Sequence, residues 1–496
     1  MSDHRAPAGS RRAGGGPRRL ATAGVLLALA AAALVAGTAR DEPAAAIAAP
    51  REAAILPPDG VASSAWFCPG GVPGDGEPVR DALYITNLST RATSVRATVL
   101  TTTGRPVGRQ IAIEPQSVKG ISVADLSEAP DAAVVVEPFS DDILVEQTVS
   151  VPGKDDVALG PCATHAGATW YFAAGSTLKG SEQWLSLLNP YAIDAVVDIT
   201  LVTNEGRRRP DGLRGLVIPA RSRVPVHVNE FADRKLLVAV IVESRDGGRV
   251  VAQQTVVHDR VAGRSGVTST LGVPAPATRF TFASGSRRDG VARLLFVMNP
   301  GVVPIDVDVQ LAADGATPQT IKVGAGAVEA INVNDLVPGG EAYSVIVQSA
   351  ADFDADGEVS DSGGIVAEDW ENYRVDDARE SFFGVAGGIG GIAPATEWRF
   401  GRSRLRDERK GYVMLYNPAE GPAHVSVEFV GDGASSRPAD ATEVEIPGAS
   451  RIAIRIDTLS DIDGGLIVTS DRAVYAERFL VKNETVTRSP GVPRRD

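Results

Sequence analysis

Apolar and polar positions fall into short recurring runs along most of the chain beyond residue 60, and the region from Trp170 to Val257 displays one full set. Leu185 to Leu188 closes on Asn189-Pro190, Val196 to Val202 (VVDITLV) is largely β-branched, and Leu216 to Ile218, Val224 to Val228, Leu236 to Val242 and Val250 to Val257 follow in turn. Runs of this length, rich in Val, Ile and Thr and separated by Gly, Pro and Asn, predict strands. Pro225 predicts a sheet edge, because proline cannot donate to a ladder. With the aromatic segment at Trp170, the pattern predicts about seven strands in roughly 105 residues, as in an immunoglobulin-like sandwich. The fold expected is all-β.

The same set returns along the chain. WYFAAGSTLKGSEQWLSLLNP from Trp170 recurs as FTFASGSRRDGVARLLFVMNP from Phe280 and WRFGRSRLRDERKGYVMLYNP from Trp398, with a worn copy beginning WFCPGG at Trp66. Spacings of about 104, 110 and 118 residues are domain-sized, too long for a solenoid repeat. Four tandem immunoglobulin-like modules are therefore expected, at 61–165, 166–275, 276–393 and 394–487, with 488–496 as a tail. A rod of sandwiches is the simplest assembly. Each module closes its first apolar run on Asn-Pro, except that the first has Asn87-Leu88. A Ser ends the sixth strand at Ser140, Ser244, Ser349 and Ser470, and the seventh carries Glu146, Gln253, Glu368 or Glu477. Trp66, Trp170 and Trp398 occupy one fixed strand position, which is how core residues behave. Trp184 and Tyr191 are not repeated and are the better candidates for exposed aromatics.

The combination of aromatic-x-Phe-x-x-Gly-Ser, an apolar run into Asn-Pro, and a Pro-Ala-x-Ser-Arg turn such as Pro219 to Arg223 resembles an uncharacterised actinobacterial family of extracytoplasmic repeat proteins. It covers about residues 60 to 487. The resemblance implies β-sandwich repeats in the cell envelope with no assigned reaction, and it brings no catalytic residues with it. The first module departs from the pattern by losing Asn-Pro and gaining Cys68.

The N-terminus supports that address. Five arginines, from Arg5 to Arg19, precede an uncharged Ala/Leu/Val run from Leu20 to Ala39, long enough to cross a bilayer as a helix. The arginines favour a cytoplasmic N-terminus with the modules outside. A cleaved signal is the alternative, since Gly37-Thr38-Ala39 offers small residues at a cleavage site; the protein is then secreted rather than anchored in the cell membrane. Residues 40–60, rich in Ala and Pro, read as a stalk. Net charge is −13, and residues 1–40 contribute about +5, so the rest of the chain carries roughly −18. Such a surface repels phosphate backbones, and no nucleic-acid partner is expected. Cys68 and Cys162, the only cysteines, are expected to pair in an oxidising compartment and to tie the start of the first module to its end.

Candidate chemistry is sparse. The chain has no G-x-S-x-G, H-E-x-x-H, Walker loop or C-x-x-C, and its five histidines are scattered. Gly388-Ile389-Gly390-Gly391-Ile392-Ala393 matches a dinucleotide fingerprint only superficially, because Pro394 and another β module follow where a helix must begin. A linker is expected there. These features favour a non-enzymatic envelope protein that acts as a scaffold or interaction surface for other envelope components. Binding of wall glycans is the alternative, and a hydrolase built on His165, His227 or His258 a weaker one. No cofactor is expected, with one candidate exception.

The third module carries an insertion between its sixth and seventh strands. Within it, Asp352, Asp354, Asp356 and Glu358 place carboxylates around Gly357, a spacing that can converge oxygen ligands on calcium. Gly363 stands where an EF-hand has its bidentate Glu, so a solvated acidic loop is the competing reading. If calcium binds, titration calorimetry will show heat at roughly millimolar Ca²⁺ that Asp354→Ala plus Asp356→Ala abolishes. Equal, negligible heat from both proteins would eliminate the site.

Overall fold

The computed structural model describes residues 65–494 apart from 75–79, 152–155, 262, 314, 338–341, 351–362, 377–380, 405–407 and 483–484. Residues 20–39 and the carboxylates Asp352, Asp354, Asp356 and Glu358 lie outside the described residues. Among the described residues the chain is all-β, its only helices are three-residue 3₁₀ turns, and none is long and apolar enough to cross a membrane.

The second module sets the pattern. Its strands are Thr169–Phe172, Ser181–Asn189, Ala195–Thr203, a fourth in two pieces (Gly206–Arg208 and Leu216–Ile218), Ser222–His227, Ala239–Ser244, Val251–Val261 and Arg264–Leu271. They form two antiparallel sheets, with strand orders 1-6-3-4 and 5-2-7-8. The sheets face one another across a core in which Trp170, Phe172, Val240 and Ile199 meet Leu185, Leu187 and Val226. The same orders recur in the other modules. In the fourth, strands six and seven run on as one continuous strand, Gly464–Lys482.

All seven expected strands of the second module are present, and Pro225 lies in the edge strand of its sheet. An eighth was not expected. Arg264–Leu271 (RSGVTSTL) lacks apolar alternation because its neighbours include other modules, so its pattern is not set by one core. Its counterparts are Val157–Pro161, Ser381–Ile389 and Thr485–Pro490. Gly388 and Ile389 therefore belong to a strand, and residues 485–494 are structural: Val492–Arg494 pairs with the first strand of the fourth module. In the first module Pro138, not Ser140, takes the register position of Ser244, Ser349 and Ser470.

The signature asparagine explains its own repetition. Asn189 is fully buried; its Nδ2 donates to the carbonyls of Ile193, Ile218 and Pro219, and its Oδ1 accepts from Tyr191 N. Asn299 and Asn417 make the equivalent bonds. So does Asn87, to Arg91, Glu114 and Ser89, without a following proline. One side chain thus satisfies backbone groups of a turn and of a second chain segment that would otherwise be buried without partners.

The modules do not extend into a rod. The described residues form one compact unit. The first and fourth modules are joined through Thr86 Oγ1 to Gly401 O, Leu159 N to Thr487 Oγ1 and Gly433 N to Gln116 O. With consecutive modules also in contact, the four close into a ring. A rod would leave the outward face of each 5-2-7-8 sheet in water, whereas Ile143–Ser150, Val251–Val261 and Val366–Asp376 are buried along most of their lengths on both faces. Strand Ile305–Ala312 of the opposite sheet type alternates buried and exposed, as a one-sided sheet must.

Cys68 and Cys162 are bonded, with Cα atoms 4.8 Å apart. The bond replaces a packing contact found in the sibling modules. In each, the chain leaving the eighth strand crosses beside the first strand, seen in the bridges Phe67 to Ala163, Tyr171 to Val273 and Thr281 to Gly391, and in the Arg399 to Val492 pair. One step along, Phe172 lies against Gly272, Phe282 against Gly390 and Phe400 against Gly491, and a Cβ on those glycines would meet the rings at about 3 Å. Cys68 and Cys162 occupy the Phe and Gly positions of the first module. Closing a span of 94 residues is worth up to roughly 4 to 5 kcal/mol by chain entropy. Mass mapping of the native protein will recover the two cysteines as one linked peptide pair. Cys68→Ser plus Cys162→Ser will lower the melting temperature, and Cys68→Phe plus Cys162→Gly will recover part of the loss. No recovery would refute the equivalence.

Candidate functional site at the module junctions

The turn after each first strand is held from two sides. Three and four residues beyond the signature aromatic lie Pro69-Gly70, Ala173-Ala174, Ala283-Ser284 and Gly401-Arg402. From inside its own module each is met by a polar side chain. Gln147 Oε1 accepts from Gly70 N, Gln254 Nε2 donates to Ala174 O, and Arg293 and Arg478 donate to the carbonyls of Ser284 and Arg402.

From outside, each turn is met by the seventh strand of the next module. Glu368 accepts from Ala173 N and Ala174 N at 3.1 and 3.0 Å, and from Thr270 Oγ1. Glu477 accepts from Ala283 N and Ser284 N at 3.2 and 3.1 Å, and from Ser284 Oγ. Gln253 reaches Gly70 O and accepts from Gln147. Glu146 abuts Gly401, where a Cβ would come within 3.0 Å of the carboxylate, and forms a paired 3.1 Å contact with Arg478. The four residues that repeat in the seventh strand are therefore the contacts that close the ring. Their identities follow from what they meet: Glu368 and Glu477 each accept from two turn N–H groups, Glu146 meets the Arg478 guanidinium, and Gln253, which is neutral, faces a turn in which Pro69 has no N–H.

The junction of modules three and four concentrates charge. Arg488, from the eighth strand of the fourth module, contacts Asp369, Glu371 at 3.4 Å and Ser284 Oγ at 2.9 Å, while Arg293 lies 2.5 Å from Asp369. All of these side chains are buried. Burial works against the Arg488 charge, yet Asp369, Glu477 and Glu371 together hold it more firmly protonated than usual. Glu368 is different, because no cation pairs with it. Burial pushes its carboxyl up to about 7 and Asp369 adds to the rise, although bonds from Ala174, Thr270 and Ala173 pull the other way.

A partly enclosed cavity of about 160 Å³ lies where the four eighth strands converge. Residues from all four modules line it, including Gly388, Gly390 and Gly391 of the fingerprint-like run.

The residues expected from sequence to carry chemistry are dispersed. His165 stacks beside Trp170 and His227 stacks on Trp184 at 4.2 Å. His258 Nδ1 is 3.0 Å from Ser181 Oγ, but the two residues are 0% and 2% exposed, so no substrate carbonyl can reach that hydroxyl. Trp66, Trp170 and Trp398 are buried, and Tyr191 is exposed. Among the described residues no group of three or more His, Cys, Asp or Glu is placed to hold a metal. Sequence reasoning did not single out Arg293, Asp369, Glu371, Arg478 and Arg488. A signal was present: charges embedded in apolar strands, as in VARLLFVM and VAEDWENY, are costly unless paired.

Comparison with known proteins finds a family of unknown function, DUF5719, over residues 142–370, just under half of the chain. That span runs from the seventh strand of the first module to the seventh of the third, two full repeats cut between strands six and seven. No curated protein matches. Among solved structures, the crystal structure of Thermotoga maritima 1070 aligns with 15% identity over 23% of this chain and 94% of that one, with a TM-score of 0.18. A tetra-tandem repeat in the extending region of a large adhesion protein aligns with 12% identity over 87% and 99%, with a TM-score of 0.11. Superpositions this loose say nothing of a shared function.

The Glu368 carboxyl gives the junction a pH dependence. Its folded value of about 7 exceeds the ordinary 4.5, so the folded chain binds the extra proton between those values. The contribution to stability is therefore complete below about pH 4.5 and is lost as pH rises through 7; the shift corresponds to roughly 3 kcal/mol. Asp81, also raised by burial, acts with the same sign. Denaturation curves from pH 5 to 8 will show a shallower loss of stability with rising pH in Glu368→Gln than in the wild type. Parallel slopes would exclude Glu368 as the source.

Proposed function

We propose that this chain is a non-enzymatic, extracytoplasmic envelope protein in which four sandwiches form a rigid ring that serves as a scaffold or interaction surface. The sandwiches are immunoglobulin-like in the broad sense of two facing antiparallel sheets, with an eighth strand added for assembly. Residues 20–39 act as anchor or signal, and residues 40–60 hold the ring away from the lipid. The observation that carries this reading is where the repeated residues go: the Asn, the aromatics and the seventh-strand Glu or Gln are all spent on holding turns and junctions together. Selection for a repeated pattern is then selection for assembly, and the surfaces left to meet partners are the exposed parts of the 1-6-3-4 sheets, such as the alternating strand Ile305–Ala312, whose sequences differ between modules. The Cys68–Cys162 bond supports the location, because such bonds persist outside the reducing cytoplasm. Glycan binding is less favoured, since the repeated tryptophans are buried and offer no stacking face.

Protease added to intact cells, followed by detection of the modules, tests the location. Digestion of full-length protein whose cysteines resist alkylation is expected. Modules protected from protease and carrying free thiols would overturn the proposal.

A further inference from the structure

The cavity at the convergence of the eighth strands has features that assembly alone does not explain. Its wall includes one equivalent apolar residue from each module, Pro161, Leu271, Ile389 and Pro490, paired in register with Glu146, Gln253, Glu368 and Glu477. Two glycines stand one step before them in modules one and three. A Cβ on Gly160 would meet nothing within 4 Å, and one on Gly388 only the Thr270 methyl at 3.6 Å. Neither glycine has a positive φ. Packing requires Gly272, Gly390 and Gly491, but neither backbone conformation nor packing requires these two; what they do is keep the space empty.

The polar groups on the wall are turned toward one another. Gln147 donates to Gln253, Gln253 to Ser269 Oγ at 2.8 Å, and Thr270 to Glu368 at 3.1 Å. Arg488 is committed to Asp369, Glu371 and Ser284. A sugar or nucleotide entering this space would lose its hydrogen bonds to water and find few in return. A non-polar guest loses nothing. Apolar cavities of about 150 Å³ stay dry and accept a ring the size of benzene.

We propose that the axial cavity binds an uncharged hydrocarbon group, such as the end of an acyl or prenyl chain, seated against Leu271, Ile389 and Trp398. This inference is independent of the scaffold reading and of cellular location. It also gives Gly388-Ile389-Gly390-Gly391 a role unrelated to dinucleotides.

The test uses residues 50–496, which contain the compact unit, with 1-octanol as the straight-chain probe, geraniol as the branched prenyl probe and NAD as a polar control. Thermal melts at a few millimolar alcohol are expected to rise by about 2 °C or more for the wild type, by ligand linkage, and not with NAD. Gly388→Leu and Gly160→Leu each place a side chain in the empty space and should cut the shift at least about threefold. Either variant suffices if the other does not fold. A response to octanol alone identifies an acyl guest, and to geraniol alone a prenyl guest. No shift with either alcohol, a shift with NAD instead, or shifts of wild-type size in folded variants would overturn the proposal.

Discussion

The assembly depends on one constraint: the turn after each first strand is buried between two modules, and its backbone groups must find partners there. An unpaired buried amide costs about 1 to 3 kcal/mol, and the turns at Ala173-Ala174 and Ala283-Ser284 each present two. A seventh-strand carboxylate from the next module meets both at once. Once modules two and three are covered by their neighbours, these contacts are what keep the buried amides paired, so each junction forms only in the register that brings the carboxylate to the turn. A side chain that bonds outward rather than inward also forces its sheet to be covered on its second face. The two-sided burial of strands such as Val251–Val261 follows from that requirement.

Variation among the modules obeys the same constraint. Pro69 removes an N–H, and the residue facing its turn is Gln253, whose amide can both donate and accept. The Cys68–Cys162 bond fits the logic differently, occupying the place where three modules press a Phe ring onto a glycine. Repeat proteins tolerate such exchanges because each module needs only to present the same geometry to its neighbours.

Much of the single-module architecture was legible in sequence. Strands in the second module were legible because each has one face on a sandwich core, and four copies let weak signals reinforce one another. The Asn of Asn-Pro and the seventh-strand Glu or Gln were visible as repeated residues, but not their roles, since the carbonyls and amides they bond come from distant segments. What stayed hidden were features set by neighbours. The eighth strand RSGVTSTL has no periodicity of its own, and the run at Gly388 reads as a linker until other modules are placed around it. Closure into a ring was invisible for the same reason: it rests on contacts such as Thr86 to Gly401, separated by 315 residues.

Closure poses a specificity problem that the other junctions do not share. Modules one and two, two and three, and three and four are tethered by short connections, so their contacts form at high effective concentration. Modules four and one must find each other across the length of the chain, in competition with the fourth module of another molecule. Here the contact is a buried ion pair, Glu146 with Arg478, at 3.1 Å on both arms. Such pairs contribute little net stability, because desolvation offsets the attraction, but breaking one side is costly. A misaligned closure would bury Glu146 without Arg478, or Arg478 without Glu146. The penalty for an incorrect seam thus exceeds the gain from a correct one, and that asymmetry favours the in-register ring over open or swapped assemblies.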